Sequence, residues 1–188
     1  MELYVLRHGE TDLTKEKRCA GWSDIALNEA GRIQAKEIAA HIPLPLVAIF
    51  SSTLPRAMET ASIIATERHF PLDRISPDKN LMERNFGKLT KMTWDEIAAF
   101  VGNDLKPADR NLSYDYITHG GETAVGVEKR VKEFLDLPEL KREGNKLVVT
   151  HGGIIRILKL RFPFKVLWGA DEANGEPMKP CTLYQFTV

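Results

Sequence analysis

The chain has two cysteines in 188 residues, Cys19 and Cys181. They form neither a Cys-x-x-Cys pair nor a metal-ligand spacing, so neither a zinc site nor a dithiol redox motif is encoded. Both read as free thiols in a reducing compartment, with a single disulfide as the open alternative. Net charge is also lacking, because 26 Lys plus Arg balance 26 Asp plus Glu. No global field therefore draws nucleic acid or an anionic membrane, and any anion site has to be built locally. No apolar run is long enough to span a bilayer. The start, with Glu2 and Arg7 around a short apolar stretch, does not read as a signal peptide. A cytoplasmic protein without nucleic-acid or membrane partners is expected. There is no Walker-type glycine loop for nucleoside triphosphates, no Asp/His cluster at metal spacing, no internal repeat and no linker.

What is present is an ordinary globular composition, 43% hydrophobic and 28% charged, long enough for one domain over 1–188 with a sizeable core. Residues 3–6, 46–50 and 147–150 are short apolar runs that read as buried strands. Asn28 caps a helix running to about 41, ended by Pro43 and Pro45. A second helix carries Arg56, with Ala57, Ala61, Ile64 and Ala65 on one face. The region 70–80 can hold a short strand. Thr93-Trp94-Asp95-Glu96 has the form of a capping box for a helix ending near Gly102. A further helix spans 122–135, another continues from Ile154, and a last strand covers 182–188. Residues 12–24 read as a polar loop, and 89–121 as a lid or specificity segment whose part from 103 on is loop. Strands alternating with helices predict an α/β fold, a three-layer α/β/α sandwich with a mostly parallel central sheet.

In such a sheet the strand ends at Arg7-His8-Gly9, Ser51-Ser52 and His151-Gly152-Gly153 lie on one edge, where α/β folds bind ligands. Arg56, one turn into its helix, reaches back over that edge. Two arginines, two histidines, hydroxyls and a helix N-terminus suit a phosphoryl dianion. A histidine is the best nucleophile on offer, since imidazole can attack phosphorus and nearby cations keep it neutral. A leaving alkoxide needs a carboxylic acid, for which Glu83, in the loop after the middle segment, is the candidate, with Glu10, Asp24 and Glu122 as competing carboxylates. Trp22, Trp94 and Trp168 read as packing residues, and His41, His69 and His119 as solvated.

Several motifs, taken together and in order, resemble the histidine phosphatase superfamily, the phosphoglycerate mutase-like proteins. They are Leu6-Arg7-His8-Gly9-Glu10-Thr11, Gly21-Trp22-Ser23-Asp24, Leu27-Asn28-Glu29-Ala30-Gly31 with Gln34-Ala35, Ser51-Ser52-Thr53-Leu54-Pro55-Arg56-Ala57, Leu81-Met82-Glu83-Arg84-Asn85-Phe86-Gly87 and Val149-Thr150-His151-Gly152-Gly153. The resemblance implies a catalytic set of His8 as phosphohistidine nucleophile, Glu83 as general acid and then base, and His151. It implies a substrate-binding set of Arg7, Thr14, Gly21, Arg56 and Gly152. Thr14 stands where the family often has asparagine. Neither metal nor organic cofactor is implied for hydrolysis.

The expected activity is phosphomonoester hydrolysis of a small phosphorylated metabolite, the partner being that phosphate ester. Alternatives are a cofactor-dependent phosphoglycerate mutase, a phosphohistidine-protein phosphatase, and a non-catalytic phosphate sensor. Mutases of this kind carry an adjacent arginine pair after the acid loop, the block that Leu81 to Gly87 resembles, where this chain has Arg110-Asn111. The substrate and the oligomeric state are not legible.

Overall fold

A computed structural model describes residues 1–102, 114–171 and 178–188. Among them, six strands form one mixed sheet in the order β3-β2-β4-β1-β6-β5. The strands are β1 (Glu2–Arg7), β2 (Leu46–Ser52), β3 (Ile75–Asp78), β4 (Asn145–Thr150), β5 (Phe164–Trp168) and β6 (Leu183–Thr187). The first four run parallel, with β1 against β4, β4 against β2 and β2 against β3. Strand β6 runs antiparallel to β1, and β5 antiparallel to β6. The α-helices are α1 (Asp12–Lys15), α2 (Glu29–Ala39), α3 (Pro55–Glu67), α4 (Trp94–Val101), α5 (Ala124–Leu135) and α6 (Gly152–Arg161).

Side-chain alternation along the strands supplies two cores. Leu3 and Val5 of β1 turn to one face, with Phe50 and Val148, and meet Val127, Val131 and Phe134 of α5 and Ile154, Ile155 and Leu158 of α6. Leu6 turns to the other face with Ile49, Leu147 and Val149, and meets α2 and α3. There Ala35, Ala39, Ala57, Ala61 and Ala65 let the two helices pack closely. Helices on both faces of a mainly parallel sheet make the three layers expected. A smaller cluster of Cys19, Phe86, Leu89, Ile97 and Tyr116 supports the segment after the acid loop.

Local signals account for most element ends. Pro55 opens α3 at its first position, where its missing N–H costs nothing. Thr93 and Glu96 form the capping box of α4. Two differences from the sequence reading have plain causes. Residues 12–15 form a helical turn because Thr11 and Thr14 cap each other reciprocally. Strand β5 was not expected, because every one of its residues is exposed and Phe-Lys-Val-Leu-Trp gives no alternation to read. Of the expected lid 89–121, residues 103–113, including Arg110 and Asn111, lie outside the described residues.

Candidate active site

The three predicted strand ends are neighbours, since β2, β4 and β1 are adjacent and parallel. Their carboxyl ends open into a cleft of about 100 Å³. Five guanidinium groups (Arg7, Arg18, Arg56, Arg84 and Arg156) and one carboxylate, Glu83, line it, in a chain whose overall charge is zero.

His8 sits just past the end of β1, buried, with its backbone N–H on Thr150 O at 2.9 Å. Its Nδ1 is 2.7 Å from the carbonyl of Gly9. A carbonyl only accepts, so Nδ1 carries the proton and Nε2 presents a lone pair. Into that lone pair Arg56 Nε–H donates at 3.2 Å. Burial, then Arg56, then Arg7 hold the His8 pKa well below the ordinary histidine value, only partly offset by the Gly9 carbonyl. The ring is therefore neutral at neutral pH.

The turn carrying His8 is fixed by α2. Gly31 lies so close that a Cβ there would stand 2.1 Å from Glu10 O. Asn28 caps α2 through Gly31 N and reaches back to Glu10 Oε1 at 3.0 Å, while Gln34 Oε1 accepts Glu10 N–H at 3.0 Å. Thr60, on α3, accepts the N–H of Gly9 at 3.1 Å and donates to Arg56 O.

Arg56 is completely buried and anchored at both Nη atoms, to Ser23 O at 3.1 Å and Gly21 O at 2.8 Å. Burial lowers its pKa to about 10 despite the opposing pull of Glu83. Gly21 thus meets Arg56 through its carbonyl and is not among the residues lining the cleft. Arg7 lines the cleft, with Nη1 on Met178 O. Thr14 also lines it, but its hydroxyl donates to Thr11 O at 2.9 Å and accepts Thr11 N–H at 2.8 Å. That oxygen is occupied by the cap of α1.

His151 is fully buried beside His8, ring centroids 5.0 Å apart. Its Nε2 is 2.7 Å from Ser52 Oγ, which also accepts Leu54 N–H at 3.3 Å. Either ring tautomer satisfies this contact, since the Ser52 hydroxyl has both a proton to donate and a second lone pair to accept with. Nδ1 has no hydrogen-bond partner in the structure. Burial first, then the charges of Arg56, His8, Arg130 and Arg7, depress the pKa of His151 well below the ordinary value. Gly152 starts α6 at the cleft wall, so the helix N-terminus opens onto it.

Glu83 is the sole carboxylate among the described lining residues. Its Oε2 accepts Gly153 N–H at 3.2 Å and its Oε1 accepts Arg84 N–H at 2.9 Å. Glycine at 153 leaves room for this carboxylate, since a Cβ would fall 2.3 Å from Glu83 Oε1 and displace it. The competing carboxylates are placed elsewhere: Glu10 takes Asn28, Asp24 is exposed, and Glu122 is spent on Arg130 and Asn85 N. No three His, Cys, Asp or Glu among the described residues gather as metal ligands.

The structure therefore brings Arg7, His8, Arg56, Glu83, His151 and Gly152 together. Sequence reasoning missed Arg130, which touches the acid loop only through backbone carbonyls. It also read Trp22 as packing, whereas that half-exposed indole donates to Glu83 O at 2.6 Å. Trp168, equally exposed, stacks on His41 with centroids 3.5 Å apart. Trp94 lines the cleft and packs edge-on against Phe86.

Comparisons with known proteins agree on one group. The model of the histidine phosphatase superfamily, branch 1, matches residues 3–176. Phosphoglycerate mutase-like protein 4 of Arabidopsis thaliana is 34% identical over 84% of this chain and 69% of its own. The metal-independent phosphoserine phosphatase of the same plant is 33% identical over 85% and 68%. A 2,3-bisphosphoglycerate-dependent phosphoglycerate mutase of Gloeobacter violaceus is 32% identical over 83% and 73%. Among solved structures, a mycobacterial glucosyl-3-phosphoglycerate phosphatase in complex with VO3 superposes with a TM-score of 0.73 at 28% identity, covering 98% of this chain and 91% of that one.

Proposed function

The chain belongs to the histidine phosphatase superfamily, and we propose that within it the protein hydrolyses small phosphate monoesters through a phosphohistidine on His8. The observation that carries this is the His8 ring. Its Nδ1–H is fixed on the Gly9 carbonyl, and its Nε2 lone pair faces Arg56 at the cleft.

In the first step Nε2 attacks phosphorus and the P–O ester bond breaks. The leaving alkoxide takes a proton from the Glu83 carboxyl. The ring, now bearing the phosphoryl group on Nε2, keeps its Nδ1–H on Gly9 and so becomes a cation whose charge the carbonyl stabilises. In the second step a water attacks phosphorus, its proton goes to the Glu83 carboxylate, and the P–N bond breaks to restore the lone pair. Arg7, Arg56, His151 and the α6 N-terminus at Gly152 hold the phosphoryl oxygens throughout. Thr14 and Gly21 act at one remove in this reading, Thr14 as wall and cap and Gly21 as the seat of Arg56.

Substrate choice falls to the segment 89–121, of which Trp94 already reaches the cleft. Relatives named as mutases keep a second reading in view. A mutase has to withhold water from the phosphohistidine, and the single arginine at Arg110-Asn111 favours hydrolysis.

The deciding experiment is phosphate release from a panel of sugar phosphates, nucleotides, phosphoserine and phosphoglycerates, with mass-spectrometric trapping of acid-labile phosphate on His8. Release with a trapped His8 adduct is expected. Isomerisation of 3-phosphoglycerate in the presence of 2,3-bisphosphoglycerate, without net phosphate release, would establish the mutase instead.

A further inference from the structure

The loop bearing Glu83 has no regular hydrogen-bonding partner strand, yet four consecutive carbonyls in it are occupied. Asn80 O and Met82 O each accept from Arg130 Nη1 at 2.7 Å, and Glu83 O accepts from Arg130 Nη2 at 3.0 Å. Leu81 O accepts from the hydroxyl of Thr150, the residue before His151, at 2.7 Å. Glu83 O also takes the indole N–H of Trp22 at 2.6 Å.

Arg130 is itself fixed from behind. Glu122 receives its Nε at 3.0 Å and its Nη2 at 3.1 Å, a two-point carboxylate pair with 13% and 19% side-chain exposure. Glu122 Oε2 also accepts Asn85 N–H at 2.8 Å, and its own N–H donates to Asn85 O at 2.9 Å. One ion pair, carried by α5 and the turn before it, thus grips the chain on both sides of Glu83.

We propose that Arg130, oriented by Glu122, is the positioning residue for the general acid, setting the height and angle at which Glu83 faces the leaving oxygen. It rests on the reading of Glu83 as the proton donor. Mutual orientation is the reason a guanidinium is used. A planar fork with several fixed N–H groups can satisfy three carbonyls and a carboxylate at once, which a point ammonium cannot. The rest of the pocket needs no such help, because His8, Arg56 and His151 sit on sheet and helix ends, whereas Glu83 sits on a loop. A loop acid misplaced by about 1 Å loses rate without losing the phosphate grip.

The test is a double-substitution cycle on the intact protein, using Arg130→Lys and Glu83→Gln singly and together. Each variant is assayed with an alkyl phosphate, whose leaving group needs a proton, and with p-nitrophenyl phosphate, whose leaving group does not. Arg130→Lys should lower kcat/KM, which reports phosphoenzyme formation, by about 10²-fold for the alkyl ester, of the size general acid catalysis supplies. The kcat/KM of the aryl ester should stay within about threefold, because its leaving group needs no proton. On the Glu83→Gln background the same substitution should add nothing for the alkyl ester. Equal losses of kcat/KM for the two esters, or full additivity with Glu83→Gln, would overturn the proposal.

Glu122→Gln, which weakens the pair without emptying the site, should reproduce the pattern at smaller amplitude if Arg130→Lys proves too unstable to assay. Amide hydrogen exchange stands apart from turnover. If the wild-type protein hydrolysed no ester, the hydrolase reading would fall. Faster exchange at Arg84 and Gly153 in Arg130→Lys would still support the clamp, and unchanged protection there would refute it.

Discussion

The Nε–H of Arg56 donates to Nε2 of His8 across 3.2 Å, so the cation suited to grip a phosphoryl oxygen covers the nitrogen suited to attack phosphorus. Both are buried, and both Nη atoms of Arg56 are tied to Ser23 and Gly21. In the proposed mechanism, substrate entry replaces this one contact by a phosphoryl group placed between the two residues. The arrangement keeps Nε2 from binding a proton while the cleft is empty, and it holds the guanidinium where the phosphoryl charge will arrive. Reorganisation on binding is correspondingly small.

His8→Gln is expected to remove the phosphoenzyme and lower kcat/KM by at least about 10³-fold, since the amide offers no nucleophilic lone pair. The fold should persist, because the backbone N–H of residue 8 still reaches Thr150 O. Trapping with labelled ester, followed by intact-mass measurement, checks the first outcome and thermal unfolding the second. A labelled His8→Gln protein would move the nucleophile elsewhere.

The two buried histidines set a pH window for stability. Both have folded-state pKa values depressed below 6.5, chiefly by burial. Below about pH 6.5 the unfolded chain takes up protons that the folded protein refuses, so stability is full above that pH and falls as the solution is acidified toward the folded values. Urea unfolding at pH 7.5 and 5.5 should show the loss, and His8→Gln should reduce it. At the alkaline end, Arg56 has its pKa lowered to about 10. kcat/KM with an aryl phosphate should accordingly decline as pH rises through that value, with a profile flat to pH 11 counting against Arg56 as the grip.

Gly153→Ala should separate activity from stability. The new methyl falls 2.3 Å from Glu83 Oε1, the far end of a flexible side chain that can swing aside. Stability should change by less than about 1.5 kcal/mol, while kcat/KM for the alkyl phosphate should fall toward the Glu83→Gln level with kcat/KM for the aryl ester largely spared. Comparing the two esters on purified Gly153→Ala reads this directly.

Gly31→Ala should behave in the opposite way. Its methyl would meet the backbone of Glu10 at 2.1 Å, on the turn that carries His8. Backbone cannot swing aside, so α2 has to move, at a cost of roughly 1–3 kcal/mol or more. Urea unfolding should show the loss, and activity toward both esters should fall together because the His8 turn shifts as a whole.

The legible parts of this protein were those in which the chemistry and its local structure lie in the same few residues. Buried parallel strands are continuous apolar runs, so β1, β2 and β4 and the reactive residues at their ends could be read in order, and Thr93 and Glu96 announced the start of α4. The motif Asn28 to Gln34 could be matched but not explained until Gly31 was seen against Glu10. Strand β5 was illegible because an exposed edge strand has no buried face to impose a period. Thr14 looked like a phosphate donor by position, and only the hydrogen bonds to Thr11 showed its oxygen already engaged.

By itself, then, the sequence determined the α/β class, the strand ends and the cationic and imidazole residue types gathered at them, because each follows from patterns a few residues long. The tertiary structure decided which atoms face each other. It left Nε2 of His8 as the unprotonated nitrogen, put Glu83 rather than Glu10, Asp24 or Glu122 on the cleft wall, and revealed Arg130 holding the loop on which Glu83 stands. Those relations depend on contacts between residues some fifty positions apart, such as Arg130 with Glu83 and Arg56 with His8. A backbone carbonyl that accepts such a contact leaves no mark on the amino acid that carries it.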